Sequence, residues 1–254
     1  NLGGSLAKSP YIEDVFSTQL YIGNMTDRNI NTGVDMSGKG GLAWLYVRSG
    51  SGGGGWMFDT ERGYNKFLRS STGHGEGTET TMVSGFTSTG FSLDGDGSQS
   101  DNTNANGANM TSWNFRKQKG FFDIVTFQQS GADSQSTPQV VPHNLGVAPG
   151  MILLKKTNGD RDWFVYHRDL GKDYWIKFNE NGVSVNENNS WGTTTPDANN
   201  FGYMSGYIGG GGSSAQFVAY LFGGGESTAA TARSVDLDGS GDYLDVVASS
   251  DFSF

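Results

Sequence analysis

The chain has 254 residues, of which 40 are glycine and none is cysteine, and its 17 basic and 26 acidic side chains give a formal net charge of -9. A hydrophobic share of 35% can build real cores, whereas scattered Lys and Arg in an acidic chain argue against nucleic acid, whose phosphates demand clustered cations. Without cysteine there are no disulfides, thiolate metal sites or thiol nucleophiles, and no stretch approaches the ~20 apolar residues of a membrane span.

Glycine well above the usual share of about 7%, with few helix-favouring runs, predicts an all-β chain of short strands and turns. Residues 1 to 13 read as an N-terminal connector. Asp14-Val15 opens the first strand-like run, and Gly41 to Leu45, "GLAWL", is a glycine followed by an unbroken apolar strand of the buried kind. Next comes "SGSGGGGWMFDTERG", Ser49 to Gly63. A phosphate loop needs a Lys and then Ser or Thr after its glycines. No Lys follows this run, and Lys39 is followed by Gly40, so nucleotide binding is rejected at both. "DGDGSQSD", Asp94 to Asp101, lacks the glycine and glutamate positions of a helical calcium loop. Acidic turns are preferred there to a structural calcium ion. Met110 to Phe115, "MTSWNF", closes the series, and Trp113 and Phe115 are expected to form its core face, against Met110, Ser112 and Asn114 on the other.

The same landmarks then recur 107 to 110 positions on (residue 56 to 163, residue 91 to 201): Asp123-Ile124, "GMILL" from Gly150, Trp163 for Trp56, Phe201 for Phe91, and "FVAYLF" from Phe217. A period this long is a duplicated domain and not a solenoid repeat. It predicts two tandem related β-sandwich domains, residues 14 to 119 and 120 to 226. In this alignment the glycine run matches the Asn158-Gly159 hairpin signal and becomes an enlarged hairpin tip. Residues 227 to 233 read as a linker, and residues 234 to 254 as the first hairpin of a third domain, containing the acidic turn "DLDGSGD".

No catalytic, cofactor-binding or metal-ligating set emerges. His74, His143 and His167 have neither a nucleophile elbow nor a zinc-binding helix beside them and read as surface or hairpin histidines. Asp59 with Glu61 does not by itself make the paired carboxylates of a glycosidase. For glycan or partner contact the candidates are Trp163, Tyr166, Trp175 and Trp191, with Tyr174, Arg168, Asn179 and Asn181 nearby. Core or interface positions are the preferred reading for such alternating aromatics.

Several blocks carry a resemblance: "YIEDVFSTQLYIGN" from Tyr11, "GVDMSGKGGLAWLYVRS" from Gly33, "WNFRKQKGFFDIVTF" from Trp113, "PHNLGVAPGMILLKK" from Pro142 and "DWFVYHRDLG" from Asp162. In that order they resemble a tandemly repeated β domain of large virion proteins of tailed phages, of the marine cyanophage type. "VDLDGSGDYLDVVASSDFSF" from Val235 is similar to the opening strands of laminin-G or concanavalin-A-like jelly rolls. The resemblance implies a non-enzymatic structural component on the virion surface, a fibre, horn, knob or other appendage. Its partners would be copies of itself and other virion proteins. The alternative is a receptor-recognition module that binds host-surface glycans.

Overall fold

The computed structural model describes residues 10–50, 54–95 and 103–225. The expected linker and third-domain hairpin lie outside the described residues, as does most of the Asp94 to Asp101 turn. Within them the chain is an all-β sandwich fold. Its first half places β1 (Phe16–Ile22), β3 (Gly41–Ser49), β4 (Gly55–Asp59), β5 (Lys66–Arg69), β6 (Gly77–Thr78) and β9 (Asn109–Arg116) in one sheet of order β1-β9-β3-β4-β5-β6. Three shorter strands, β2 (Arg28–Asn31), β7 (Val83–Thr87) and β8 (Gly90–Leu93), form a separate sheet of order β2-β8-β7.

The second half repeats the connectivity. β10 (Phe122–Gln128), β12 (Pro149–Lys156), β13 (Phe164–His167), β14 (Tyr174–Lys177), β15 (Val185–Asn186) and β17 (Gln216–Gly223) line up as β10-β17-β12-β13-β14-β15. β11 (Gln139–Pro142) pairs with β16 (Asn200–Tyr203) as the small sheet. All pairings are antiparallel.

Three cores separate these four layers. One lies between the first large sheet and its small sheet, where Ala43, Leu45, Trp56 and Phe58 meet Ile30, Val83 and Phe91. Its counterpart in the second half joins Ile152, Leu154, Phe164 and Tyr166 to Val141, Phe201 and Tyr203. The third packs the two large sheets against each other: Leu42, Met57 and Leu68 of the first meet Phe122, Leu153, Trp163 and Tyr220 of the second. Side chains alternate across a strand, so β3 gives Ala43 and Leu45 to one core and Leu42 to another. This is why "GLAWL" has no polar face. Each fully buried large side chain contributes about 1.5–3 kcal/mol, and the central core adds ring contacts at Phe115–Phe222, 5.4 Å, and Trp163–Tyr220, 6.1 Å.

Ladder registers correct three expectations. Asp14-Val15 belongs to a four-residue helix, α1 (Ile12–Val15), whose Asp14 carboxylate accepts the Tyr11 amide. The strand begins at Phe16, which holds the place of Phe122: each pairs with the matching phenylalanine, Phe115 or Phe222. Second, Trp56 corresponds to Phe164 and not to Trp163, because Leu45 pairs with Trp56 and Leu154 with Phe164. A slip of one residue exchanges the faces of a strand: Trp56 faces the outer core, Trp163 the central one. Third, on β9 the more deeply buried face is Met110, Ser112 and Asn114, while Trp113 and Phe115 are half-buried. Asn114 Nδ2 donates to the Ser112 hydroxyl at 3.0 Å, which lets this polar pair lie inside.

β3 and β4 form a hairpin, pairing from Leu42↔Asp59 to Tyr46↔Gly55, and residues 51–53 of the glycine run between them lie outside the described residues. Gly54 has φ +99, in the left-handed region that favours glycine. A Cβ on Gly55 would come 2.4 Å from Ser70 Oγ and 3.1 Å from Trp44 Nε1. The Trp44 ring thus lies over the position that Trp163 fills in the second half.

Because the central core is shared, Leu153→Ala is expected to cost about 2–5 kcal/mol and to lower one calorimetric transition for the whole chain. Two separated transitions, with only the second-half one shifted, would contradict a shared core.

Candidate functional site

The polar groups that converge most closely lie at the seam between the halves. β4 ends in Asp59, which is fully buried. Its Oδ1 accepts the backbone amides of Glu61 at 3.0 Å and Arg62 at 2.9 Å, an Asx-type turn that reverses the chain. Its Oδ2 accepts Arg62 Nε at 2.6 Å and the Tyr220 hydroxyl, from β17 of the other half, at 2.7 Å. Arg62 donates further to the Met57 carbonyl at 3.0 Å, the Tyr220 oxygen at 3.1 Å and Glu76 Oε2 at 3.1 Å.

Burial opposes the Arg62 charge, but Tyr220, Asp59 and Glu76 outweigh it and raise its pKa. Burial drives the Tyr220 hydroxyl well above its ordinary value, with Arg62 pulling the other way, so it stays a protonated donor. A buried charge is tolerated when it is paired and its remaining sites are bonded. Here each charged group meets both conditions, with Asp59, Arg62 and Glu76 from the first half and the Tyr220 hydroxyl from the second.

Beside this cluster opens a cleft of about 340 Å³, with Glu61, Arg62 and Glu76 on one wall and Thr126, Gln128 and Thr157 on the other. Glu61 accepts Lys117 Nζ at 2.6 Å, and Glu76 also lies 3.3 Å from Lys66. Both carboxylates are therefore engaged in ion pairs. Burial lowers the Lys117 pKa, but Glu61 and then Asp123 raise it further, for a net upward shift.

Lys155 of β12 lies fully buried, with Nζ donating to the carbonyls of Gly73 at 3.2 Å and Lys156 at 2.8 Å. Burial pulls its pKa down to about 8, against the opposing effect of Asp160 and Asp162. The 71–76 connection of the first half covers it, and also anchors its Glu76 amide on the Thr157 carbonyl at 2.6 Å.

The aromatic candidates are not surface residues. Trp163 and Trp191 are fully buried, Tyr166 is 1% exposed and Trp175 is half-buried. Nor do they converge: Trp163 belongs to the central core, and the other three pack in the outer core of the second half. Trp163 Nε1 donates to the Arg69 carbonyl at 2.9 Å and Trp191 Nε1 to that of Tyr174 at 3.0 Å. Asn179 accepts the Trp163 amide at 2.8 Å and braces the strand end. A glycan platform built on these rings is thereby corrected to core packing.

His143 is also buried and not a surface residue. Its Nδ1 accepts the Leu145 amide at 3.3 Å, so its Nε2 carries the proton toward the Asp197 carbonyl at 3.1 Å. Burial lowers its pKa, consistent with this neutral form. Among the described residues no group of three or more His, Asp or Glu is placed to hold a metal ion, and no helix is long and apolar enough to cross a membrane.

A family model described as a domain of unknown function, DUF7483, matches residues 12–230. No curated protein and no solved structure matches the chain.

Removing one partner of the seam exposes its cost. Arg62→Met is expected to destabilise by about 3–5 kcal/mol, since it leaves Asp59 buried without a cation, and Tyr220→Phe by about 1–3 kcal/mol. Chemical denaturation checks both, and an effect below half a kcal/mol for Arg62→Met would show the cluster to be energetically idle.

Lys155 gives a pH dependence. Its folded pKa lies below the ordinary 10.5, so between about 8 and 10.5 the unfolded chain holds a proton that the folded chain has released. Stability from this group is therefore gained as pH rises through that window and lost as pH falls back through 8. Relative to Lys155→Met, the natural chain is expected to gain on the order of 2 kcal/mol between pH 8 and 10. Parallel stability curves for the two proteins would count against this.

Proposed function

This chain belongs to the DUF7483 family, and on that premise we propose that it is a non-enzymatic structural component of a phage virion, part of a fibre, horn, knob or similar surface appendage. One family model spans both halves, which supports treating them as one working unit. The observation that carries the reading is the central core. Two sheets of the same connectivity, each already covered on its outer face, are joined through Leu42, Met57, Leu68, Leu153, Trp163 and Tyr220, with the Asp59–Arg62–Tyr220 cluster at the seam.

Such packing gives a stiff block. Large interdigitated side chains resist shear because sliding one sheet over the other would open cavities. The seam cluster resists it as well, since displacement would take the Tyr220 hydroxyl away from buried Asp59 and Arg62. A spacer or platform in an assembly needs this rigidity, and its contacts then fall to strand edges and exposed loops. The virion assignment itself draws on the resemblance in the ordered sequence blocks.

Immunogold labelling of purified phage particles that carry this gene tests the proposal. Regular decoration at one position on the particle is expected. Label confined to the unassembled protein fraction of the lysate would overturn it.

A further inference from the structure

The two large sheets each end in a seven-residue terminal strand, β1 or β10, and these occupy equivalent places. Phe16 pairs with Phe115 as Phe122 pairs with Phe222, so Leu20 corresponds to Thr126 and Ile22 to Gln128. All four are exposed. In the second half these exposed positions carry polar residues, as solvent requires. In the first half they carry apolar ones, with Leu20 57% and Ile22 60% exposed. Thr126 and Gln128 line the polar cleft opposite Glu61, Arg62 and Glu76, whereas the recess beside Leu20 and Ile22 is lined only by residues of their own half, Arg48, Asn109 and Met110.

Leu20 lies in one cross-strand row with Thr111 and Tyr46, and Tyr46 is itself 42% exposed. The next row holds Trp113 and Trp44, whose rings are 5.3 Å apart, and Trp44 already packs against the central core. The exposed apolar strip is thus continuous with an interface that the chain already uses to join two sheets. The sequence of β1, FSTQLYI, contains no charge and no proline, the devices by which an edge strand normally repels another; the cation beside it, Arg28 of β2, bonds the Ile22 carbonyl at the end of the strand.

We propose that β1 is a self-association surface, pairing antiparallel with β1 of a second copy of this chain about a two-fold axis through Gln19. The occupant follows from self-complementarity. A two-fold axis at Gln19 sets Thr18 opposite Leu20 and Phe16 opposite Ile22, all on one face, so the apolar strips of the two copies meet. The carbonyls of Leu20 and Ile22 accept the Gln19 side-chain amide at 2.9 Å and Arg28 Nη2 at 2.6 Å, two side-chain bonds that the amides of the second strand would replace. Their backbone groups therefore point away from β9, on the side where a new strand would bond. Gln19 then forms a non-hydrogen-bonded pair with its own mate. This surface rests on the self-associating part of the structural reading above.

The test uses the whole chain. Light scattering after size exclusion over a concentration series is expected to show a dimer, and L20T/I22Q, which copies the residues of β10, is expected to raise its dissociation constant roughly tenfold or more, with an unchanged unfolding midpoint at concentrations where both chains are monomeric. The chain has no cysteine, so Gln19→Cys reports directly. Mates at a non-hydrogen-bonded site sit about 4.5 Å apart between Cα atoms, within disulfide reach, and a crosslinked dimer is expected on mild oxidation. Val125→Cys, at the equivalent place on β10, is expected to remain monomeric. A dimer that survives L20T/I22Q, with no crosslink through Gln19→Cys, overturns this surface and leaves self-association standing. A monomer throughout the series overturns both.

Discussion

Everything in this chain depends on burying both faces of two large sheets. A sheet with one wet face can tolerate alternating polar residues, but β12 and the first five residues of β3 have no such face, because a small sheet covers one side and the other large sheet covers the second. That constraint sets the apolar runs, the position of the turns and the scarcity of charge inside. It also couples the halves: neither large sheet keeps a dry inner face without the other.

Hydrophobic packing alone would not fix how the two sheets sit on each other, since apolar contact is non-directional. Direction comes from the seam. Asp59 accepts four hydrogen bonds, two from its own turn, one from Arg62 and one from Tyr220 across the junction. Few placements of Tyr220 satisfy that geometry. The tryptophans add a steric key: the first half pairs Gly55 with a Trp44 ring that lies over it, whereas the second half sets Leu153 beside Trp163.

Much of this was legible in the sequence, and the reasons are physical. Strand character was readable because glycine-bounded aromatic and branched runs suit little else, and the hairpin reading of the glycine run held because its duplicate showed an ordinary Asn-Gly turn. The register was harder. Matching Trp56 to Trp163 follows residue likeness, but the ladder pairs Trp56 as it pairs Phe164, and one position reverses the face. The seam was out of reach, since Arg62 and Tyr220 lie 158 residues apart and neither belongs to a recognisable motif. Asp59 did leave a trace: an acidic residue closing a fully apolar strand, followed after three positions by Arg, is the pattern of a bonded turn. A strand buried on both faces also reads the same whether its second cover comes from its own sheet partner or from the next repeat.

The duplicates differ most at the end of the inner face that the central core does not reach, and the covering loops account for it. The 71–76 connection of the first half extends over the second sheet, where it bonds Lys155 and Thr157. A long cationic side chain is tolerated beneath it because carbonyl acceptors are supplied. The equivalent connection of the second half, residues 178–184, reaches back only as far as Trp44, through Phe178 at 5.5 Å. Tyr46, which stands where the second sheet has Lys155, is therefore left 42% exposed. One end of the stack is closed by the chain itself and the other is open. The asymmetry of two loop contacts therefore decides which end of the stack is left open, with Tyr46 on it.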